Sequence, residues 1–174
     1  MNLRISLNPA LKNVPLYQPG RPIEEVAREL GLPPGDIIKL ASNENPLGVS
    51  PKALAAMERV IANLNFYPDG SAFHLKRRLA EKLRLKPENL ILGNGSSELI
   101  EFVGHALMAP GSDVVMSQYS FVIYSMITKL FGANPIVVPA KNFGHDLPAM
   151  LGAITPRTRG LESGMGWPSC NNNA

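Results

Sequence analysis

The sequence predicts an α/β protein whose sheet is mostly parallel. Its second half repeats one pattern, in which a short apolar segment of strand character leads through a loop into a longer segment with helical periodicity. The predicted strands and helices, in chain order, are Leu90–Leu92, Glu98–Met108, Val114–Met116, Phe121–Leu130, Pro135–Val138 and a short helix from Asp146 to Leu151. Because strands that alternate with helices pair in parallel through right-handed crossovers, these units predict the start of a parallel sheet.

Residues 1–49 differ in composition from the rest of the chain. They are rich in proline, glycine and asparagine, and only the stretch Ile23–Leu30 has helical character. We therefore predict an N-terminal arm with loops. Residues 50–159 are predicted as the start of a larger domain, which begins with two helices. The first follows Ser50-Pro51 and is expected to bury one face, and the second is expected to be capped by Ser71.

The repeating pattern is lost after Arg159. At this point a parallel sheet should receive another apolar strand, but residues 160–174 are rich in glycine, serine and asparagine. They also contain the single tryptophan and the single cysteine of the chain. We predict that residues 160–174 form a non-homologous tail, disordered or frame-shifted, with a natural flexible C-terminus as the alternative.

The composition excludes several classes of function. With 174 residues, 45% hydrophobic and 18% charged, the chain is typical of a soluble globular protein. The net charge of +3 is small and the basic residues are scattered, so no nucleic-acid partner is predicted. No apolar run approaches the roughly 20 residues of a membrane span, so no membrane partner is predicted either. The N-terminus has no apolar signal segment and Cys170 has no partner for a disulfide, so we expect a cytoplasmic protein.

The segment Gly93–Glu98 lies between a predicted strand and a predicted helix. Its two glycines let the backbone approach a ligand closely, while the first helical N–H groups and the hydroxyls of Ser96 and Ser97 can donate to a phosphate. It is neither a Walker A loop nor a complete dinucleotide motif, because no Gly-Lys-Ser/Thr follows and Glu98 replaces the third glycine. The segment therefore indicates either an anion cradle or an ordinary capped turn without a ligand.

Aromatic residues follow the next predicted strand, in the segment Ser117–Tyr124. Because the carboxyl ends of parallel strands share one edge, these rings are expected at the same edge as the cradle. An aromatic ring there could stack on a flat cofactor, or it could simply pack at the start of a helix.

Two polar segments of the arm, residues 17–22 and 41–48, are either turn clusters or rigid loops that present polar groups to a ligand. His74, His105 and His145 have no second ligand at metal spacing, so no metal site is predicted.

Five of these segments, in this order and spacing, resemble the class I/II aminotransferases and, within them, the histidinol-phosphate aminotransferase subgroup. The segments are YQPGRPIEEV at 17–26, KLASNENPLGVSP at 39–51, NFYPDGS at 65–71, LILGNGSSELIEF at 90–102 and SFVIY at 120–124. The resemblance covers residues 8–159 approximately. It implies the N-terminal part of a pyridoxal-phosphate-dependent transferase of this fold.

The resemblance also implies roles for individual residues. Gly95, Ser96 and Ser97 match the loop that holds the phosphate of pyridoxal 5'-phosphate, and Phe121 matches the aromatic that stacks on its ring. Tyr67 matches a tyrosine that reaches the cofactor phosphate of the neighbouring subunit, which implies a homodimer. Tyr17 and Asn43 match the region that covers the small-molecule substrate. Phe121 and Ser97 depart from the usual tyrosine and aspartate.

Other residues that the family needs for its chemistry have no match here. Such enzymes use a Schiff-base lysine and a carboxylate beside the pyridine nitrogen, both expected downstream of residue 159. None of the eight lysines of this chain lies at a position that matches the lysine motif. The resemblance thus implies a truncated chain that has no catalytic residue of its own and is inactive alone.

The implied reaction belongs to histidine biosynthesis. It exchanges an amino group between histidinol phosphate and 2-oxoglutarate and yields imidazole acetol phosphate and glutamate. Two alternatives remain: a related enzyme, either an aromatic amino-acid aminotransferase or a phosphothreonine decarboxylase-like relative, and a non-catalytic interaction module.

Overall fold

A computed structural model of the chain describes residues 9–17, 19–40, 42, 44–45 and 47–162. These residues form two compact units. One unit contains residues 19–92, and the other contains the described residues before Gln18 and from Gly93 onward. None of the helices in the described ranges combines the length and apolarity that a membrane span requires.

In the unit of residues 19–92, the described residues form three α-helices and three short 3-10 turns. The helices are α1 (Ile23–Leu30), α2 (Pro51–Glu58) and α3 (Phe73–Leu83), and the 3-10 turns are Pro34–Asp36, Ile61–Asn63 and Pro87–Asn89. Helix α1 ends where Gly31 adopts a left-handed conformation (φ +65°) and donates its N–H to the carbonyl of Ala27. Helix α2 begins at Pro51, as predicted.

Two expectations about these helices were wrong. Helix α2 was expected to bury one face, but none of its residues is buried. Apolar residues at helical spacing show which face of a helix could pack against a neighbour, but they do not show whether a neighbour is present. Ser71 was expected to cap α3, but the carboxylate of Asp69 does so instead, accepting from Phe73 N at 3.0 Å and from the Ser71 N–H and hydroxyl. These hydrogen bonds, first that of the Ser71 hydroxyl, lower the pKa of Asp69.

The predicted first strand, Leu90–Leu92, is also absent. These residues form no ladder with any strand of the described ranges, and Ile91 is exposed. A strand exists only when its backbone groups pair with a neighbour, and periodicity in the segment itself carries no information about that neighbour.

The other unit is built on a parallel sheet, which confirms the predicted α/β class. Its strands are β1 (Asp113–Ser117), β2 (Asn134–Val138) and β3 (Thr158–Glu162), in the order β2-β1-β3. The helices of this unit are α4 (Ser96–Leu107), α5 (Val122–Leu130) and α6 (Leu147–Gly152), and a 3-10 turn, Pro9–Asn13, packs against α5.

The core lies on both faces of β1, whose five residues are all buried because the strand is central. Val114 and Met116 pack on one face with Ala133, Met108 and Tyr124. Val115 packs on the other face with Val138 and Met150 of α6. Alternate residues of a strand point to opposite faces, so one strand holds two helical layers to the sheet.

Strand β3 corrects the prediction that strand structure ends at Arg159. It runs to Glu162 and alternates half-buried Thr158, Gly160 and Glu162 with exposed residues. This strand was missed because only one of its faces is half-buried and it contains a glycine, so its sequence lacks an apolar run. A Cβ at Gly160 would lie 3.4 Å from Val114 Cγ1, so the glycine permits close approach to β1. Residues 163–174 lie outside the described residues, and the rest of the predicted tail stays a prediction.

Candidate functional site

The predicted phosphate cradle is a glycine-dependent turn that leads into α4. Gly95 precedes the helix with φ +85° and ψ 175°, a conformation that is essentially confined to glycine. A Cβ at Gly95 would have no atom of the described residues within 4 Å, so the space beside the turn is open. The backbone therefore allows a ligand to approach this turn closely.

Ser96 and Ser97 form the first turn of α4, and both are exposed. The first N–H groups of any α-helix have no intrahelical acceptor, and no side chain among the described residues caps this end of α4. The two hydroxyls make no hydrogen bond with any described residue. Four donors thus remain available, two backbone and two hydroxyl, where the helix dipole favours an anion.

Glu98, at the third position of α4, was not singled out for a role. Its carboxylate accepts from the backbone N–H of Asn94 and from the Asn94 side-chain amide. An acidic residue in a first helical turn is an ordinary capping signal, which could have identified this contact from the sequence. The carboxylate shapes the turn, but its charge opposes a second anion close by.

Phe121 is the residue immediately before α5, and its ring lies against that of Tyr17. The two ring centroids are 6.1 Å apart and the rings are nearly perpendicular, at 83°. Tyr17 follows the 3-10 turn Pro9–Asn13, which packs on α5. The structure therefore brings together one predicted substrate-covering residue and the predicted stacking residue, although they are far apart in sequence.

A second aromatic pair lies after β1 and β2. The rings of Tyr119 and Phe143 are stacked, with centroids 6.2 Å apart and an angle of 21°. Phe143 is 84% exposed and adopts φ +61° in a turn closed by two hydrogen bonds between Lys141 and Gly144. The side chain of Gln118 accepts from Ala140 N at 3.1 Å and fastens this loop to the end of β1. The sequence contained no signal for this pair.

Glu162 is the last residue of β3, and it pairs with Met116 of β1. Burial raises the pKa of its carboxyl group. Burial, and to a smaller extent the charge of Glu162, raises the pKa of Tyr124 on α5. Both residues are partly buried at this end of the sheet.

Two predicted site residues remain, Tyr67 and Asn43. Tyr67 belongs to the unit of residues 19–92 and is 100% exposed. Asn43 lies outside the described residues. In the described part of the chain, no group of three or more His, Cys, Asp or Glu side chains could hold a metal ion.

Comparison with known proteins places the chain among aminotransferases. The sequence profile described as aminotransferase class I and II matches residues 35–173. The chain is 53% identical over 143 residues to histidinol-phosphate aminotransferase of Methylobacillus flagellatus, covering 82% of this chain and 39% of that protein. It is 52% identical over 151 residues to histidinol-phosphate aminotransferase 2 of Pseudomonas fluorescens Pf-5, covering 87% and 41%. The chain thus spans about 40% of the length of these relatives.

A solved structure shows the same fold. The histidinol-phosphate aminotransferase of Sinorhizobium meliloti, in complex with pyridoxal-5'-phosphate, superposes with a TM-score of 0.69 over 88% of this chain and 39% of that one, at 24% identity.

Proposed function

The chain belongs to the class I and II aminotransferase family, and we propose that it supplies the amino-terminal part of the active site of a histidinol-phosphate aminotransferase. The reaction would exchange an amino group between histidinol phosphate and 2-oxoglutarate and yield imidazole acetol phosphate and glutamate. Identities of 53% and 52% to two proteins of that name support this substrate class over the other amino acids that the family transaminates.

The proposed cofactor is pyridoxal 5'-phosphate, which supplies an aldehyde for the amino group and a ring that accepts electrons. The first turn of α4 fits its phosphate in the character of its donors. The N–H groups and hydroxyls of Ser96 and Ser97 would donate to the phosphate, and Gly95 would leave room for it. The turn itself carries no Lys or Arg, so these donors would hold the phosphate without a cation of their own.

The ring and substrate contacts come from other elements. Phe121 would stack on the flat cofactor ring, and its side chain is 40% exposed, so part of it is available for such a contact. Tyr17 and Asn43 would cover the substrate. Tyr67 would reach the cofactor phosphate of a second copy of the chain in a homodimer, and its complete exposure supports a contact made outside its own unit.

The observation that carries this proposal is the open first turn of α4, where four donors lack partners among the described residues and Gly95 leaves space for a ligand to approach the backbone. The test is a titration of isotopically labelled chain with pyridoxal phosphate and, in parallel, with pyridoxal, which lacks the phosphate. We expect the amide resonances of Ser96 and Ser97 to shift with the first ligand and not with the second.

Variants sharpen the test. The double variant S96A/S97A removes both hydroxyls and should weaken pyridoxal phosphate binding by about a hundredfold, since two charge-assisted hydrogen bonds of about 1.5 kcal/mol each are lost. The matched control is S50A, which removes an exposed hydroxyl at the start of α2. Equal binding by both variants, with the fold intact by circular dichroism, would contradict the proposed phosphate site.

A separate measurement concerns activity. Residues 1–174 contain no lysine that matches the family's cofactor lysine, so borohydride treatment of this polypeptide with pyridoxal phosphate should give no stoichiometric adduct at a single lysine. A specific adduct accompanied by turnover would show that one of the eight lysines serves this role.

A further inference from the structure

The contact between Tyr17 and Phe121 joins the N-terminal arm to the start of α5. Their rings are 6.1 Å apart at 83°, an edge-to-face arrangement that is favourable between aromatic rings. Phe121 directly precedes α5, and Tyr17 follows the 3-10 turn Pro9–Asn13, which packs on α5; both residues belong to the same compact unit. The contact is therefore fixed within one unit of the structure.

The geometry leaves room for a ligand on Phe121. The Tyr17 ring is nearly perpendicular to the Phe121 ring, so it can cover at most one of the two faces of Phe121. Tyr17 and Phe121 are 48% and 40% exposed, so neither ring is enclosed by the protein. The contact with Phe121 is made between the two rings, and the Tyr17 hydroxyl makes no hydrogen bond with any described residue.

From this geometry we propose that Tyr17 is a positioning residue, which holds the Phe121 ring in the orientation needed to stack on a flat ligand. The inference rests on the proposed function, in which that ligand is the cofactor ring. A half-exposed phenylalanine at a helix start can adopt several rotamers, and a ligand that stacks on the ring selects one of them, which costs conformational entropy. A second ring that fixes the orientation beforehand removes this entropic cost. This role differs from covering the substrate, because it acts through Phe121 and requires only the tyrosine ring.

The first experiment needs no ligand. The chain is labelled with 3-fluorophenylalanine, and the fluorine resonance of residue 121 is assigned as the signal lost in F121L. We expect Y17A to shift and narrow this resonance, because the ring loses its neighbour and reorients faster. Y17F retains the ring and should leave the resonance close to its original position. A resonance that is unchanged in Y17A would overturn the proposal.

The second experiment measures binding of pyridoxal phosphate by equilibrium dialysis. We expect Y17A to weaken binding by about fivefold and Y17F by less than twofold. In the double variant Y17A/F121A, the affinity should equal that of F121A alone, because Tyr17 acts only through Phe121. Additive losses would mean that Tyr17 contacts the ligand independently, and they would contradict the positioning role. Y17L, which keeps the bulk of the side chain, separates loss of the ring from loss of packing by the arm, and it should behave like Y17A.

The outcomes distinguish the two proposals. If F121A binds pyridoxal phosphate as tightly as the unmodified chain, the stacking role of Phe121 fails and with it part of the proposed function. If F121A weakens binding and Y17A does not, only the positioning role of Tyr17 fails.

Discussion

The carboxylate of Glu98 accepts a hydrogen bond from the backbone N–H of Asn94 at 2.5 Å, which places a negative charge at the entrance to α4. The same carboxylate accepts from the Asn94 side-chain amide at 3.3 Å. A Cβ at Gly93 would lie 2.7 Å from the Glu98 carboxylate, so a larger residue there would require this carboxylate to move. The Glu98 carboxylate thus stabilises the shape of the turn, but its negative charge repels an anion that binds there.

This relationship predicts that E98Q binds phosphate more tightly. The amide keeps one acceptor oxygen for the Asn94 N–H and removes the charge, so we expect the affinity for inorganic phosphate to rise by about threefold to tenfold at low salt. The gain should shrink as salt screens the charge. NMR titration at two ionic strengths measures both effects.

The control for this prediction is E101Q, one turn further along α4. Glu101 lies 3.7 Å from His105 Nε2 and makes no hydrogen bond to the Gly93–Gly95 turn, so its neutralisation should change phosphate affinity much less. If E98Q binds phosphate more weakly than the unmodified chain, the shape of the turn matters more than its charge.

A second prediction concerns the packing of α4 on α5. Gly104 is buried, and a Cβ there would lie 2.5 Å from Phe131 Cε2 and 3.1 Å from Ile127 Cγ2. The Phe131 ring is itself in edge-to-face contact with His105, with centroids 4.7 Å apart, so its movement away from the new methyl group would cost this contact. We expect G104A to lower the free energy of unfolding by about 1–2 kcal/mol, despite the better helix propensity of alanine.

The matched control is G152A in α6, where a Cβ would meet no atom of the described residues within 4 Å. That substitution should raise the free energy of unfolding by about 0.5–1 kcal/mol. Urea denaturation of both variants gives the comparison. Equal stability of G104A and G152A would mean that Phe131 moves aside at no cost.

The sequence predicted elements well where one segment carries its own signal. Strand β1, strand β2 and helix α5 lie within one or two residues of their predicted bounds, because continuous apolar residues are flanked by the turns at Pro110-Gly111 and Gly132. The start of α4 was likewise near its predicted position, since glycine and serine residues punctuate the chain there.

Prediction failed where structure depends on a distant partner. Residues 90–92 are apolar but find no neighbouring strand in the described ranges, and Gly160 gives no strand signal, yet it pairs with Val114. The candidate site follows the same rule. Gly95, Ser96 and Ser97 could be found from one short segment, whereas the contact between Tyr17 and Phe121 depends on the arm packing against α5, which leaves no local pattern.

A third prediction concerns pH and Asp113. This carboxylate is 1% exposed at the amino end of β1, where it accepts from Asn134 Nδ2 at 3.1 Å and Thr155 Oγ1 at 3.0 Å and pairs with Arg157 at 3.0 Å. The hydrogen bond from Asn134, followed by those from Thr155 and Arg157, lowers the pKa of Asp113. The native state therefore favours the charged form more than the unfolded state does. The resulting stability is present above the unfolded pKa of about 3.9 and is lost as the pH falls through the lower folded pKa.

The variant D113N isolates this contribution. It should be less stable than the unmodified chain at pH 7, because one of the two acceptor oxygens becomes an NH2 group, which faces either Asn134 or Thr155 and Arg157, and the charge that pairs with Arg157 is lost. The difference in unfolding free energy should stay constant above about pH 5 and shrink below the unfolded pKa of about 3.9. As a control, D36N alters an exposed carboxylate with no hydrogen-bond partner among the described residues, and it should show no such pH-dependent difference. A D113N difference that is independent of pH between 7 and 2 would contradict the assigned cause.

A final prediction concerns the turn Lys141–Gly144, in which Asn142 and Phe143 adopt φ +51° and +61°. Two positive φ values between a pair of mutual backbone hydrogen bonds, here 3.0 and 2.9 Å, are typical of a type I′ turn, for which Asn-Gly is the favoured sequence. Phenylalanine in the left-handed conformation costs about 1–2 kcal/mol relative to glycine. Its stacking on Tyr119 recovers only part of this cost, because the ring is mostly exposed.

We therefore expect F143G to raise the free energy of unfolding by about 0.5–1 kcal/mol, the balance between relief of backbone strain and loss of the ring contact. Y119A removes the same ring contact without altering the strained residue, so it should lower the free energy of unfolding slightly. Chemical denaturation of the two single variants separates backbone from ring, since only F143G changes both. If F143G is less stable than the unmodified chain, the stacked pair outweighs the strain, and the exposed ring of Phe143 is itself the stabilising feature of the turn.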